Sequence, residues 1–276
     1  MRQRLLASLV PGVLVAVVAA GCGSDDPSPA AAPSAPAATS TPSATASPTP
    51  SATPSAAPTT TTAVSPSPQG SPNGVETLAA AEILKRARRA ARAATSVHVA
   101  GTSSEGGTKI SIDVRMDERQ GAGTVETGGG RIGIVRSGKT VYVQGDTAFY
   151  TTVVGDANTA KLLEGKWLKS STSNRDFRDL ASLVDYNRFV GEGLEPAGEV
   201  TKADTKGIDG TRAVGLSDRD GVLYVALDGE PLPVAAEPTP GSGEGRLRFS
   251  EWSAPVEVTV PKASETIDLA ELNRSR

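Results

Sequence analysis

Residues 109–116, Lys109-Ile110-Ser111-Ile112-Asp113-Val114-Arg115-Met116, decide the fold. Polar and apolar side chains alternate without a break, the pattern of a β-strand with one face buried and one wet. The pattern recurs on both sides. Val97 and Val99 flank His98 upstream. Downstream, Gly128-Gly129-Gly130 marks a turn, and Ile132 and Ile134 open another strand. Ser137-Gly138-Lys139 then reads as a hairpin turn ahead of Val141 and Val143. Ala148–Val154 reads as a further extended piece. Consecutive strands with short turns predict an antiparallel meander. Such a sheet must cover one face. Alternation selects Ile110, Ile112, Val114, Ile132, Ile134, Val141 and Val143 for the covered side.

Helical patterns supply the cover. In Glu76–Ala94 the residues Ala80, Leu84, Ala87, Ala91 and Ala94 form a narrow stripe of mostly small side chains. Lys85, Arg86, Arg88, Arg89 and Arg92 occupy much of the remainder. Glu82, three and four residues before Lys85 and Arg86, supports the helix locally. This basic face reads as solvated, with anionic lipid headgroups as the alternative partner. Asn158–Leu163 is a short helix, and Phe177–Phe189 is a second cover helix carrying Leu180, Leu183, Val184 and Tyr186. Strands resume at Gly198–Asp204, Thr211–Ser217, Val222–Leu227, Arg246–Trp252 and Val256–Val260. Glu265–Leu272 reads as a short terminal helix. Alanine fills little volume, so a helix standing off the sheet leaves an apolar void able to take an acyl chain.

The opening of the chain is of another kind. Arg2 and Arg4 precede an apolar run from Leu5 to Val18, and Ala19, Ala20 and Gly21 precede Cys22, the sole cysteine. That is a secretory leader, too short and too abruptly ended for a membrane span. A cysteine straight after the small residues resembles a bacterial lipobox, although Ala19 stands where leucine is favoured. The resemblance implies a diacylglyceryl group on the Cys22 thiol and cleavage before it. Two acyl chains hold a protein firmly to a bilayer where one does not. From Gly23 to about Gly74 the chain is almost wholly Ser, Pro, Ala and Thr. It has no apolar period and too little apolar surface to offset ordering, so a disordered tether is expected. The domain organisation is thus 1–21 signal peptide, 22–74 lipidated cysteine and tether, and 75–276 folded domain. The expected location is the outer face of the cell membrane.

Composition excludes several classes. The 28 basic residues are outnumbered by 31 acidic ones, and two of the basic ones sit in the leader. Nucleic acid needs a concentrated positive field, so it is not an expected partner. A single cysteine forms no internal disulfide, and with one histidine no Cys/His metal cluster can form. His98 is that histidine, and a Ser–His–acid triad would rest on it alone. No EF-hand spacing or phosphate loop is present. The chain is therefore read as a non-enzyme, with no cofactor and no metal.

The order of the pieces resembles the LolA-like superfamily of bacterial lipoproteins, within it the LppX/LprG-like group. The resemblance rests on the helix before Ser96-Val97-His98, on Thr140-Val141-Tyr142-Val143 and on Gly165-Lys166-Trp167. It continues through Gly207-Ile208-Asp209-Gly210-Thr211, Gly229-Glu230-Pro231-Leu232-Pro233 and Phe249-Ser250-Glu251-Trp252. It implies an α+β fold: a curved antiparallel sheet, a half-barrel, with helices on its concave face. It also implies an apolar cavity for a lipid or other hydrophobic ligand. The candidate lining is Ile110, Ile112, Val114, Ile132, Ile134, Val141, Val143 and Trp167. A non-catalytic structural or protein-interaction module with a solid core is the alternative. A hydrolase centred on His98 is a third reading, which an acid and a serine beside that ring would support.

Overall fold

A computed structural model of the chain describes residues 70–274, apart from 106–107, 155 and 240–242. The leader, Cys22 and nearly all of the tether lie outside the described residues. Twelve strands form one sheet in the order β12-β6-β5-β4-β3-β2-β1-β11-β10-β9-β8-β7. The sheet is curved, unclosed and mostly antiparallel.

Its construction is two meanders joined side by side. The first is β1 (Ser96–Glu105), β2 (Thr108–Asp117), β3 (Gln120–Thr127), β4 (Gly130–Ser137), β5 (Thr140–Gly145) and β6 (Trp167–Ser171). The second is β7 (Thr201–Ile208), β8 (Thr211–Ser217), β9 (Gly221–Ala226), β10 (Pro233–Pro238) and β11 (Gly243–Ser250). Strand β11 pairs antiparallel with β1, placing His98 opposite Ser250 and Val99 opposite Phe249. This seam joins the two meanders. At the far edge β12 (Thr266–Asp268) adds to β6 in parallel.

The quoted stretch becomes β2. Ile110, Val114 and Met116 are buried, and Lys109 and Asp113 point to solvent. Within the turn from β2 to β3, the Asp117 carboxylate accepts the backbone N–H groups of Arg119 and Gln120, each at 2.7 Å. Gly138, with φ of +57°, closes the turn from β4 to β5 in the left-handed region that glycine enters without strain.

Helices cover one face of the sheet. Helix α1 (Ala80–Ala93) follows a 3-10 turn at Val75–Thr77 and packs on β7 and β9. Its Ile83, Ala87 and Ala91 are fully buried. Helices α2 (Thr147–Val154) and α3 (Ala157–Leu163) fill the connection from β5 to β6. Helix α4 (Arg175–Ser182) lies on β4 and β6. Helix α5 (Tyr186–Arg188) runs straight into a π-helical turn, Phe189–Gly193. Helix α6 (Leu269–Arg274) follows β12.

Several local expectations are corrected. Ala148–Val154 is helical, not extended. The Asp146 carboxylate accepts the Phe149 N–H at 2.8 Å and the Arg131 N–H at 2.9 Å, and so starts a helix in a β-prone composition. Phe177–Phe189 is two helices. Asp185 leaves the first and caps the second by accepting the Arg188 N–H at 3.0 Å. Glu76–Ala94 begins later as an α-helix, at Ala80. Val256–Val260 lies in an extended strap outside the sheet ladders, touched by the Gln120 amide, which donates to the Val256 carbonyl at 2.7 Å. Within Glu265–Leu272 the first turn is β12. The strand Gly198–Asp204 is displaced to Thr201–Ile208. Strand β3 has no clear sequence signal, because Gly121 and Gly123 replace two apolar positions of its alternation. Strands β6 and β10 are likewise additions to the sequence reading, and Pro233 and Pro238 at the ends of β10 read as turn residues.

Candidate ligand-binding site

The two meanders are capped separately. Helix α1 serves β7–β9, and α4 with α5 serves the first meander. Between the caps lies the seam, and there an apolar cavity opens. It offers about 50 Å³ to the centre of a water-sized sphere. Its floor is Val99 and Ser103 of β1, Ile110, Ile112 and Met116 of β2, and Leu223, Ala236, Leu247 and Phe249 of β9–β11. Its roof is Ser182 at the end of α4 with Leu183 just after it, and Phe189, Gly193 and Leu194 in and after the π turn. Of the lining residues only Ser103 and Ser182 carry a polar side chain, and Ser182 donates its hydroxyl to the Asp179 carbonyl at 2.6 Å.

Gly101 belongs to the design of the floor. It stands in register between Ile112 on β2 and Leu247 on β11. Its φ of +144° would hold a Cβ 2.0 Å from the Arg246 carbonyl oxygen, so only glycine fits. The floor therefore lacks a side chain between two lining residues. An aromatic group closes one end: the Phe189 and Phe249 rings stand 5.3 Å apart, and Trp252 stacks at 6.2 Å from Phe189. The Trp252 indole N–H donates to the Pro233 carbonyl at 3.0 Å.

The roof is tied down by polar contacts. The Tyr186 hydroxyl donates to the carbonyls of Ala91 and Ala94, at the end of α1. Burial pushes this phenol up to about 12, so it keeps its proton. Arg88 on α1 reaches the Gly191 carbonyl at 3.4 Å and the Glu195 carboxylate at 3.1 Å. On the other side the buried Arg136 of β4 donates to the Val184 carbonyl at 2.9 Å and the Asp117 carbonyl at 3.0 Å. A smaller recess shares Gly193, Leu194 and Leu223 with the cavity, so Leu194 is a partition between the two.

Of the residues selected from sequence, Ile110 and Ile112 line this cavity. Val114, Ile132, Ile134, Val141 and Val143 are buried in the core of the first meander and do not line it. Trp167 lies over Gly133, on the face opposite Ile132 and Ile134, 3.4 Å from where a Cβ at that glycine would stand. The remaining lining residues were not selected. Leu247 and Phe249 have alternation, but nothing in the chain announces that β11 pairs with β1.

His98 sits on the opposite face of the seam. Its Nε2 meets Asp113 Oδ1 at 2.9 Å, and its Nδ1 meets Ser250 Oγ at 3.4 Å and Glu251 Oε1 at 3.5 Å. Arg115 clamps Glu251 with bonds of 2.8 and 3.1 Å. That clamp holds the Glu251 carboxyl below its ordinary range and the Arg115 guanidinium above its own. These are the residue types of a hydrolytic triad. However, β1 spends its backbone N–H groups on ladders to β2 and β11, and Arg115 is committed to its carboxylate, so neither stabilises an oxyanion.

No family model matches the chain. No curated protein matches it. Among solved structures it is similar to LprF from Mycobacterium bovis, with 16% identity, 70% of this chain and 100% of that one covered, and a TM-score of 0.48. It is also similar to the lipoprotein LppX from Mycobacterium tuberculosis, with 18% identity, 65% and 98% coverage, and a TM-score of 0.43. A third is an uncharacterized conserved protein from Thermus thermophilus, at 15% identity, 68% and 98% coverage, and a TM-score of 0.36.

Proposed function

We propose that this chain is a lipid-anchored extracytoplasmic binding protein that takes a hydrophobic ligand at the seam. The leader 1–21 directs export, acylated Cys22 anchors the chain, and the stretch to residue 74 spaces the folded domain 75–276 from the membrane. One observation carries the reading. The seam cavity is lined by aliphatic and aromatic groups from both meanders, and no charged side chain enters it. Apolar burial supplies the affinity, at about 0.8 kcal/mol per methylene. The cavity as it stands takes only the end of an acyl chain, because one water already needs about 10–15 Å³ of such space. A longer chain requires the roof to lift. The roof hangs on a π turn containing Gly191 and Gly193, a backbone that moves at lower cost than an α-helix.

The test is titration of the unacylated chain from Cys22 onward with a fluorescent fatty acid, beside native mass spectrometry after organic extraction. Saturable binding is expected. Its absence from a folded, delipidated protein would favour the structural module. The His98–Asp113–Ser250 contact favours hydrolysis as a second reading. Ester turnover lost in Ser250→Ala would establish it, and turnover indistinguishable from buffer would dismiss it.

A further inference from the structure

Helix α1 turns a basic face away from the sheet. Its buried residues Ile83, Leu84, Ala87 and Ala91 occupy one side. Lys85, Arg86, Arg89 and Arg92 occupy the opposite side, spaced one, three and three residues apart so that they share one arc. All four are exposed. Glu82 is the helix's only acid, and it meets Lys85 at 3.5 Å and Arg86 at 3.7 Å in weak exposed pairs. Among the described residues Arg89 and Arg92 have no acidic partner. This concentration sits in a chain whose acids outnumber its bases.

The location gives the face a partner. The Ser71 carbonyl accepts the Gly229 N–H at 3.0 Å, and the Asn73 N–H donates to the Leu227 carbonyl at 2.9 Å. The chain is thus pinned to the second meander just ahead of α1, at the end that leads back toward Cys22. With Cys22 acylated, the domain stays within a tether's length of a bilayer, and the chain leading back to Cys22 joins it just ahead of α1. Arg88, on the flank of the same helix, holds the π turn that roofs the cavity.

We infer that the outer face of α1 docks on an anionic lipid surface through Lys85, Arg86, Arg89 and Arg92. Docking sets the seam cavity beside the bilayer, with the roof next to the source or destination of its ligand. The inference concerns a surface and stands apart from what the cavity holds.

The experiment is co-sedimentation of the unacylated chain from Cys22 onward with two kinds of vesicle, phosphatidylcholine alone and phosphatidylcholine mixed with phosphatidylglycerol. Binding is expected to the mixed vesicles only, and to weaken as salt rises. The variant Lys85→Glu/Arg89→Glu/Arg92→Glu is expected to lose about a hundredfold or more in affinity, since each basic group near such a surface contributes about fivefold. Arg89→Lys/Arg92→Lys keeps the charge and should keep binding. If the triple reversal does not fold, Arg89→Gln/Arg92→Gln is read in its place, with about a thirtyfold loss. Equal binding to neutral vesicles overturns the proposal, as does binding unchanged by these substitutions. Binding displaced from vesicles by a soluble anionic polysaccharide at lower concentration overturns it in favour of a polymer partner. Fatty-acid titration of the same variants in solution should match the parent chain, so failure here leaves the cavity reading intact.

Discussion

The two covers of the sheet differ in how they meet it. Helix α1 presents Ala87 and Ala91, both fully buried, and lies close on the second meander. Helices α4 and α5 present Leu183, Val184 and Tyr186 to the first meander, and buried Arg136 reaches up to hold them. Small side chains on one side allow close approach, and large ones on the other fill the gap. Under α1 only a small recess remains, between Leu84 of the helix and Leu216 and Leu223 of the sheet. The larger apolar cavity lies between them, where the sheet is continuous through β1 and β11 but its covers are not. A cavity in this fold is therefore a property of the joint between two packed halves.

Arginine substitutions test this contrast most strongly. Ile134→Arg places an unpaired charge in the solid first meander and should cost more than about 4 kcal/mol, enough to abolish folding. Ile112→Arg, at the half-buried cavity floor, should fold, because its stem can extend along the cavity toward solvent, and should lose fatty-acid binding. Circular dichroism and thermal melts separate the two. A folded Ile134→Arg protein defective only in binding would break the comparison, since it would place Ile134 on the cavity.

A smaller effect is expected at the stitch between the covers. Tyr186→Phe removes the donor shared by the Ala91 and Ala94 carbonyls and should cost about 1–3 kcal/mol. It should also speed ligand exchange, because the roof is then tied to α1 by Arg88 alone among the contacts described. Stopped-flow release of the fluorescent acid reads this, and an unchanged rate would detach the stitch from gating.

The least effect is on the outer face. The Glu251 carboxyl lies below its ordinary 4.5 through the Arg115 bond. Its contribution to stability is complete above that ordinary value and is lost as pH falls through the lower, folded value. Both side chains are about half exposed, so the loss is well under about 1 kcal/mol. Glu251→Gln should flatten the acid limb of the melting curve slightly. A large change would mean that the His98 cluster bears on the seam after all.

Legibility followed the reach of the interactions. The alternation of Ile110, Val114 and Met116 is local, and it identified β2 and its buried face. The turn at Gly138 was equally plain. Where a single side chain overrode propensity, as Asp146 does in starting α2, the composition of Phe149-Tyr150-Thr151 pointed the wrong way. The site was legible only in part. Ile110 and Ile112 were selected because alternation marks every inward residue alike, and it cannot tell the covered core at Ile134 from the uncovered seam. That difference depends on β1 meeting β11 and on where α1 and α5 stop, neither of which has a local signal.

That pairing also sets the order in which the molecule can be built. His98 of β1 faces Ser250, a separation of 152 residues. Until β11 is made, β1 is an edge strand with a row of unpaired donors and acceptors, open to any other strand nearby. The other edge of the first meander waits longer, because β6 is not covered until Thr266–Asp268 arrives through the strap. A contact map so dominated by distant partners folds slowly. A chain that emerges amino end first therefore keeps both of these edges open until the late strands arrive, whatever ligand the finished seam goes on to hold.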